Sequence, residues 1–309
     1  AHICTSSRPY AWQPRRDFDL LDKLFPSVQL KQEPTGQDVD PDEEAATEDT
    51  GLKVFQLKPL DMDEIRLFAA HRSASRIEEF VTAIERSDVM DLAGRPFDLE
   101  GLIAKWNDDD ALGDRLELLR HNIAARLREI WQAREVQQPL DLERAREGAR
   151  LLAATVLLTG EPGIYVPDEG HEKPGIDAAE LLSGWGDQKK IRALLERPLF
   201  NDVLYGMVRF RHRDVRELLA AEWFDDLLKK GHRRAVEALI FREQYGERII
   251  TPRMRPILPW LILFDEEIRA KVLALEPEIA MEGGDAAGLP IVERQKLLHD
   301  VIERLISGD

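Results

Sequence analysis

The stretch from Val208 to Phe224 changes its hydrophobic period partway along. Up to His212, apolar side chains alternate with arginines, which predicts a β-strand. Beyond it, apolar residues recur every three or four positions, which predicts an amphipathic helix with Val215, Leu218, Leu219 and Trp223 on one face. His212 is therefore expected on the apolar face of a strand end, directly before a helix. There it is either a hydrogen-bonded core histidine or a ligand-binding group, since buried polar groups are normally paired.

Three pairs of residues have the spacing of a helix-capping box. These are Asp61 with Glu64, Ser75 with Glu78, and Asp214 with Glu217. In such a box the side chain of the first residue accepts a hydrogen bond from the backbone N–H of the second. The side chain of the second residue accepts one from the backbone N–H of the first. Each pair therefore predicts the start of a helix.

The remaining periodicity is mainly helical. Further helices are predicted over Leu116 to Trp131, Leu142 to Val156, Asp177 to Leu182, Gln188 to Glu196, His232 to Phe241, Met254 to Phe264, Asp265 to Leu275, and Ile291 to Ile306. Glu161 to Gly175 is rich in Gly and Pro and is expected to be an exposed loop. Leu199 to His212 is expected to form a hairpin. From residue 232 onward, paired short helices suggest the start of a helical-repeat array of the HEAT or TPR kind, and the last helix lacks a polar cap, so we expect the native protein to continue.

Composition limits the possible partners. The chain has 309 residues, 43% hydrophobic and 33% charged, with a net charge of -16. This charge opposes general nucleic-acid binding, which needs a positive surface, but leaves room for a local patch such as Lys189, Lys190 and Arg192. The single cysteine, Cys4, allows no internal disulfide and fits a reducing cytoplasm. No apolar run has the length of a membrane span, and the first residues do not form a signal peptide.

The segment from Gln32 to Thr50 contains no Lys or Arg and is strongly acidic. With so few apolar residues it cannot offset the entropy of ordering, so we expect a solvated, mobile insertion. The alternative is an acidic surface that attracts a basic partner.

Two short patterns precede possible ligand sites. The apolar run His2-Ile3-Cys4 ends in a polar tip with Arg8, and ligands bind where parallel strands end in this way. Gly94 is followed two residues later by Pro96, which fits the first position of a helix. Taken alone, Arg8 could equally be a surface arginine and Pro96 a turn residue.

The pattern formed by Phe210, His212, Glu217, Ala220 and Ala221 resembles the end of the winged-helix domain of NACHT-type STAND ATPases, a class that includes animal inflammasome receptors and bacterial antiphage sensors. The resemblance implies that His212 reaches the phosphates of bound ADP and keeps the protein closed. It likewise implies that Arg8 is the sensor facing the γ-phosphate, although the Thr-Ser-Arg-Pro pattern here has an extra serine. It also implies that Pro96 lies against the adenine ring.

The same resemblance implies four domains. Residues 1–60 would be the C-terminal end of an α/β P-loop NTPase core, 61–136 a helical domain, 137–231 the winged helix, and 232–309 the start of the helical repeats. The fold class expected for the chain is thus mainly α, with a remnant of the α/β core.

The parts that would hydrolyse ATP are missing from this sequence. It has neither a Gly-x-x-x-x-Gly-Lys-Ser/Thr phosphate loop nor an acidic strand end for Mg²⁺, and no metal-ligand motif. We therefore expect the regulatory and sensing portion of a cytoplasmic STAND ATPase that binds ADP or ATP, with Mg²⁺ in the full-length protein. It would self-associate when downstream repeats bind a protein trigger in antiviral defence. The alternatives are a helical-repeat scaffold with a vestigial nucleotide site and a winged-helix DNA-binding regulator.

Overall fold

The computed structural model describes Lys23 and residues 58–87, 89–128, 140–167, 174–201 and 206–307. The chain divides between Lys58 and Pro59 into two compact units. Of the first unit, only Lys23 and Lys58 are among these residues. The predicted end of the NTPase core, with Arg8 and the acidic insertion at 32–50, consequently lies outside the described residues.

The second unit begins with five helices that share a hydrophobic core. They are α1 (Met62–His71), α2 (Ile77–Arg86), α3 (Met90–Ala93), α4 (Pro96–Asp109) and α5 (Arg115–Arg128). Their buried residues include Phe80, Leu99 and Trp106, and the indole of Trp106 donates to the carbonyl of Ser75 at 2.6 Å. The apolar faces that the sequence predicts for these helices are buried in this core.

One of the three predicted capping boxes forms. Asp61 accepts from the backbone of Glu64 at 3.0 Å, and the Glu64 carboxylate accepts from the backbone of Asp61 at 3.0 Å. The Ser75 prediction is wrong, because the cap of α2 is Arg76 in a left-handed conformation, and the backbone N–H of Ser75 donates to Asn107. Long-range contacts have displaced the local motif there.

The next part combines a long helix with a small sheet. It contains α6 (Leu142–Thr159), β1 (Ile164–Tyr165), β2 (Ile176–Asp177), α7 (Ala178–Leu181), α8 (Gln188–Leu195) and β3 (Met207–Val208). Strand β1 pairs in parallel with β2 and antiparallel with β3. The expectation of an exposed loop over Glu161 to Gly175 is therefore wrong at Ile164 and Val166, which are buried. This apolar run is too short to be read as a strand before its distant partners are known.

The predicted hairpin pairs at its described ends. Phe200 bridges Phe210 antiparallel, and their rings lie 4.8 Å apart between centroids. The backbone N–H of Asn201 donates to the carbonyl of Arg209 at 2.9 Å. These contacts fix the arm that ends at His212.

The last part is helical except for one hairpin. It comprises α9 (Arg213–Lys229), α10 (Arg233–Ile240), β4 (Phe241–Gln244), β5 (Glu247–Ile250), α11 (Leu258–Phe264), α12 (Glu266–Leu275) and α13 (Ile291–Ser307). The uninterrupted succession of helices predicted here is wrong at residues 241–250. Tyr245 and Gly246 both have positive φ, at 55° and 82°, which is what a two-residue hairpin turn requires.

A buried carboxylate joins three of these helices. Glu222 on α9 accepts from Arg146 at 2.7 Å and Arg150 at 3.1 Å, both on α6, and from Arg120 on α5 at 2.9 Å. Burial acts to raise the pKa of Glu222, but the three guanidinium groups outweigh burial and lower it. Glu222 is therefore held as a carboxylate inside the fold.

The described chain is mainly helical, as predicted. The hydrophobic core containing α6, α9, α11 and α12 is continuous, and it crosses the predicted boundary at 231/232. The boundaries at 136/137 and 231/232 stay predictions. No helix in the described ranges has the length and apolar character needed to cross a membrane.

Candidate functional site

His212 occupies the junction between the hairpin and α9. Its backbone is extended, with φ of -123° and ψ of 137°, and it is the N-cap residue of the helix. The preceding residue is fixed by the bond from the Arg211 N–H to the Leu199 carbonyl at 3.0 Å. The predicted position of His212, at a strand end before a helix, is confirmed.

The predicted capping role of Asp214 and Glu217 at this junction is wrong. Asp214 accepts from Arg115 on α5 at 3.1 Å, and Glu217 accepts from Arg213 at 2.6 Å. With His212 as the N-cap, the carboxylates lie at positions that favour ion pairs over backbone capping.

Pro96 begins α4, as the sequence predicts, and it is exposed. Gly94 before it has a helical φ of -66°, so a left-handed turn is not the reason for glycine here. A Cβ at this position would lie 3.0 Å from Cβ of Pro59 and 3.2 Å from the Met90 carbonyl oxygen. The glycine is needed because the chain packs closely around the start of α4.

The first turn of α4 faces His212. Oδ2 of Asp98, two residues after Pro96, lies 3.9 Å from Nδ1 of His212. Oδ1 of the same carboxylate accepts from Nη2 of Arg126 on α5 at 2.9 Å, and both side chains are buried. The exposed Arg95 places Nη1 at 3.9 Å from Oδ2. Asp98 is thus surrounded by one imidazole and two guanidinium groups.

Burial, one carboxylate and three guanidinium groups act on the pKa of His212 in the described part of the chain. Burial lowers the pKa of His212, the Asp98 carboxylate opposes this, and Arg126, Arg95 and Arg211 lower it further. The imidazole is therefore biased toward its neutral form. Among the described groups that act on His212, three are guanidinium groups and one is a carboxylate, a balance that favours an additional anion.

Two of the three predicted site residues belong to neighbouring parts of this arrangement, because His212 contacts the turn that Pro96 begins. Arg8, the third, lies outside the described residues. The sequence analysis missed Asp98 and Arg126. An available signal was that Arg126 falls three residues after Ile123 on the apolar side of α5, where a charge needs a partner.

The other residues of the motif around His212 pack in the core. Phe210, Ala220 and Ala221 are buried, and the ring of Phe210 packs against that of Phe200. Glu217 is also buried, and desolvation raises its pKa although Arg213 and Arg216 oppose the change. The motif therefore combines one residue that faces a charged cluster with several that hold the helix in place.

No three His, Cys, Asp or Glu side chains converge as a metal site in the parts of the chain that the structure describes. Comparisons with protein-family models, curated proteins and solved structures find no match to this chain.

Proposed function

We propose that this chain is the nucleotide-gated regulatory and sensing portion of a STAND, NACHT-like signalling ATPase. In the closed state it would hold ADP through His212, Pro96 and Arg8. Recognition of a protein trigger by downstream repeats would open it and allow self-association in antiviral defence. The observation that carries the proposal is the approach of His212 to the first turn of the helix that begins at Pro96.

The surrounding charges support an anionic ligand. Among the described residues, Arg126, Arg95 and Arg211 all lower the pKa of His212, and the Asp98 carboxylate raises it. A nucleotide phosphate at this position would gain charge-assisted hydrogen bonds, which are stronger than bonds between neutral groups. In a chain with a net charge of -16, such a local excess of positive charge is a specific feature.

The order of elements from α6 to β3 supports a winged-helix domain over residues 137–231. A long helix, two short strands, two short helices and a hairpin follow one another, with the strand β1 paired to the last arm of the hairpin. In this arrangement His212 ends the hairpin, and the domain delivers it to α4.

The DNA-binding alternative depends on α8. This helix carries Lys189, Lys190 and Arg192, and Nε of Arg192 donates to Glu196 at 3.1 Å. That pairing uses one of the three charges within the helix itself. The scaffold alternative differs from the leading proposal by predicting no nucleotide binding.

The proposal is tested by calorimetric titration of the complete protein with ADP and, separately, with adenosine. His212→Ala should weaken ADP binding by about 10- to 150-fold, because a hydrogen bond between charged groups is lost. Adenosine binding should stay unchanged, since adenosine has no phosphate. His232→Ala is a matched control, because His232 also precedes a helix as its N-cap without a side-chain capping bond. Wild-type ADP affinity in His212→Ala would refute the proposal.

A further inference from the structure

The carboxylate of Asp98 is held in a fixed position beside His212. Its Oδ1 is engaged by Arg126, and the pair is buried between α4 and α5. In the described part of the chain Oδ2 accepts no hydrogen bond, and the imidazole Nδ1 lies 3.9 Å away. A closer approach of the two groups, with a proton on Nδ1, would form a hydrogen bond from the ring to this oxygen.

The protonation of the ring decides what its second nitrogen can do. A neutral imidazole has one N–H, so donation from Nδ1 to Asp98 leaves Nε2 as an acceptor. An acceptor nitrogen cannot form a hydrogen bond with a phosphate oxygen, because both atoms present lone pairs. Donation to Asp98 and to a phosphate at the same time requires the imidazolium form.

The free protein disfavours that form. Burial and the charges of Arg126, Arg95 and Arg211 lower the pKa of His212, and Asp98 raises it. A bound phosphate adds negative charge on the other side of the ring and shifts the balance toward protonation. Nε2 is shielded from solvent, so a phosphate can reach it only after the groups around the ring move.

We propose that Asp98 is the positioning residue of His212 and that ADP binding is coupled to the uptake of one proton, which converts the imidazole into an imidazolium held between Asp98 and the phosphate. The proton comes from solvent. This inference rests on the proposed function, because it requires a nucleotide phosphate at His212. Arg126 anchors Asp98 through its bond to Oδ1, so that Oδ2 stays oriented toward His212.

Proton uptake is measured by titrating the complete protein with ADP in buffers of different ionisation enthalpy. At a pH between the free and bound pKa values of His212, wild type should take up about one proton more than His212→Ala. The subtraction removes the proton exchange of ADP itself. The affinity difference between the two proteins should shrink as the pH rises through the bound pKa, because a raised pKa on binding favours the complex only at lower pH.

The role of Asp98 is measured in a double-mutant cycle. Asp98→Asn should weaken ADP binding about tenfold in the wild-type background, as the loss of a supporting carboxylate behind a ligand-binding histidine does at metal sites, and should have no further effect in His212→Ala. The proton uptake on ADP binding should also be smaller in Asp98→Asn than in the wild type. Asp225→Asn is the control, because Asp225 is a buried carboxylate on α9 that pairs with Lys229.

The outcomes separate the two claims. Unchanged ADP affinity in His212→Ala would overturn the proposed function. Weaker binding in His212→Ala with no difference in proton uptake, or tighter or unchanged binding in Asp98→Asn, would overturn this inference alone. If Asp98→Asn does not fold, nitrogen NMR of wild-type His212 decides the question. Both ring nitrogens should be protonated with ADP bound, and a ring with one proton in the complex would overturn the inference.

Discussion

Oδ2 of Asp98 and Nδ1 of His212 lie 3.9 Å apart, although the four helices α5 to α8 lie between the two residues in sequence. Asp98 follows the proline that starts α4, and His212 caps α9. A movement of α9 relative to α4 would change this distance. If the proposed nucleotide site exists, the pair would couple nucleotide binding to the relative position of the two helices.

Pro96→Ala should affect ADP binding differently from His212→Ala. If the exposed ring of Pro96 lies against adenine, its loss should weaken ADP and adenosine to the same extent. The substitution should also cost about 0.4–1 kcal/mol of folding stability, since proline restricts the unfolded chain.

Pro256→Ala provides the comparison for Pro96→Ala, because Pro256 also lies in the first turn of a helical segment. It should change stability by a similar amount and leave both affinities unchanged. An equal loss of affinity in the two variants would indicate a general effect of proline removal.

Glu222→Gln should destabilise the protein strongly. Glu222 is buried and accepts from three arginines on two other helices. Removing one member of a buried ionic cluster leaves the remaining charges uncompensated, and we expect a loss of about 3 kcal/mol, at the low end of the usual range because these arginines are partly exposed. Chemical denaturation of both proteins at neutral pH measures the difference.

Glu217→Gln is the matched variant on the same helix. Glu217 is also buried, but burial raises its pKa and Arg213 is its main partner. An amide can keep that hydrogen bond without a buried charge, so the free energy of unfolding should stay within about 1 kcal/mol of wild type. Similar losses of unfolding free energy in the two variants would show that the arginines around Glu222 do not make its carboxylate more stabilising than that of Glu217.

The stability contributed by Glu222 should depend on pH. Its pKa is lowered in the folded protein from an ordinary value of 4.5, so the folded state binds the proton less readily than the unfolded state. The contribution is therefore complete above the unfolded pKa and is lost as the pH falls through the folded pKa. The difference in unfolding free energy between wild type and Glu222→Gln should shrink below about pH 4.5. A difference that grows in acid would contradict the assigned charge state.

The chain by itself should not hydrolyse ATP. Its sequence has no phosphate loop and no acidic strand end for Mg²⁺, and phosphoryl transfer depends on both. Purified chain supplied with Mg²⁺ and ATP should release phosphate at the rate of the buffer. Turnover well above that rate would contradict the prediction that the chain lacks the residues that hydrolyse ATP.

Local patterns predicted the helices well where an apolar stripe was long, as in α6, and where a cap was independent of distant contacts, as at Asp61. They failed at β1 and at the hairpin of β4 and β5, because a strand of two to four residues gains its stability from partners elsewhere in the chain. His212 could be identified as a candidate from the sequence, because it lies where the strand-like alternation of apolar residues changes to helical spacing. Asp98 and Arg126 could not be assigned to it, since only the packing of α4 against α5 and the approach of His212 to α4 bring these side chains together.

The most direct test of the central claim compares melting curves of the complete wild-type protein and His212→Ala, with and without ADP. At an ADP concentration of about 100 times the wild-type dissociation constant, wild type should gain about 2.7 kcal/mol. A 10- to 150-fold loss of affinity reduces this gain to about 0.3–1.4 kcal/mol in His212→Ala, which should melt nearly as wild type does without nucleotide. A variant that keeps the full ADP-induced shift, or that is equally destabilised with and without ADP, would show that His212 is a structural residue of the core and does not hold a nucleotide.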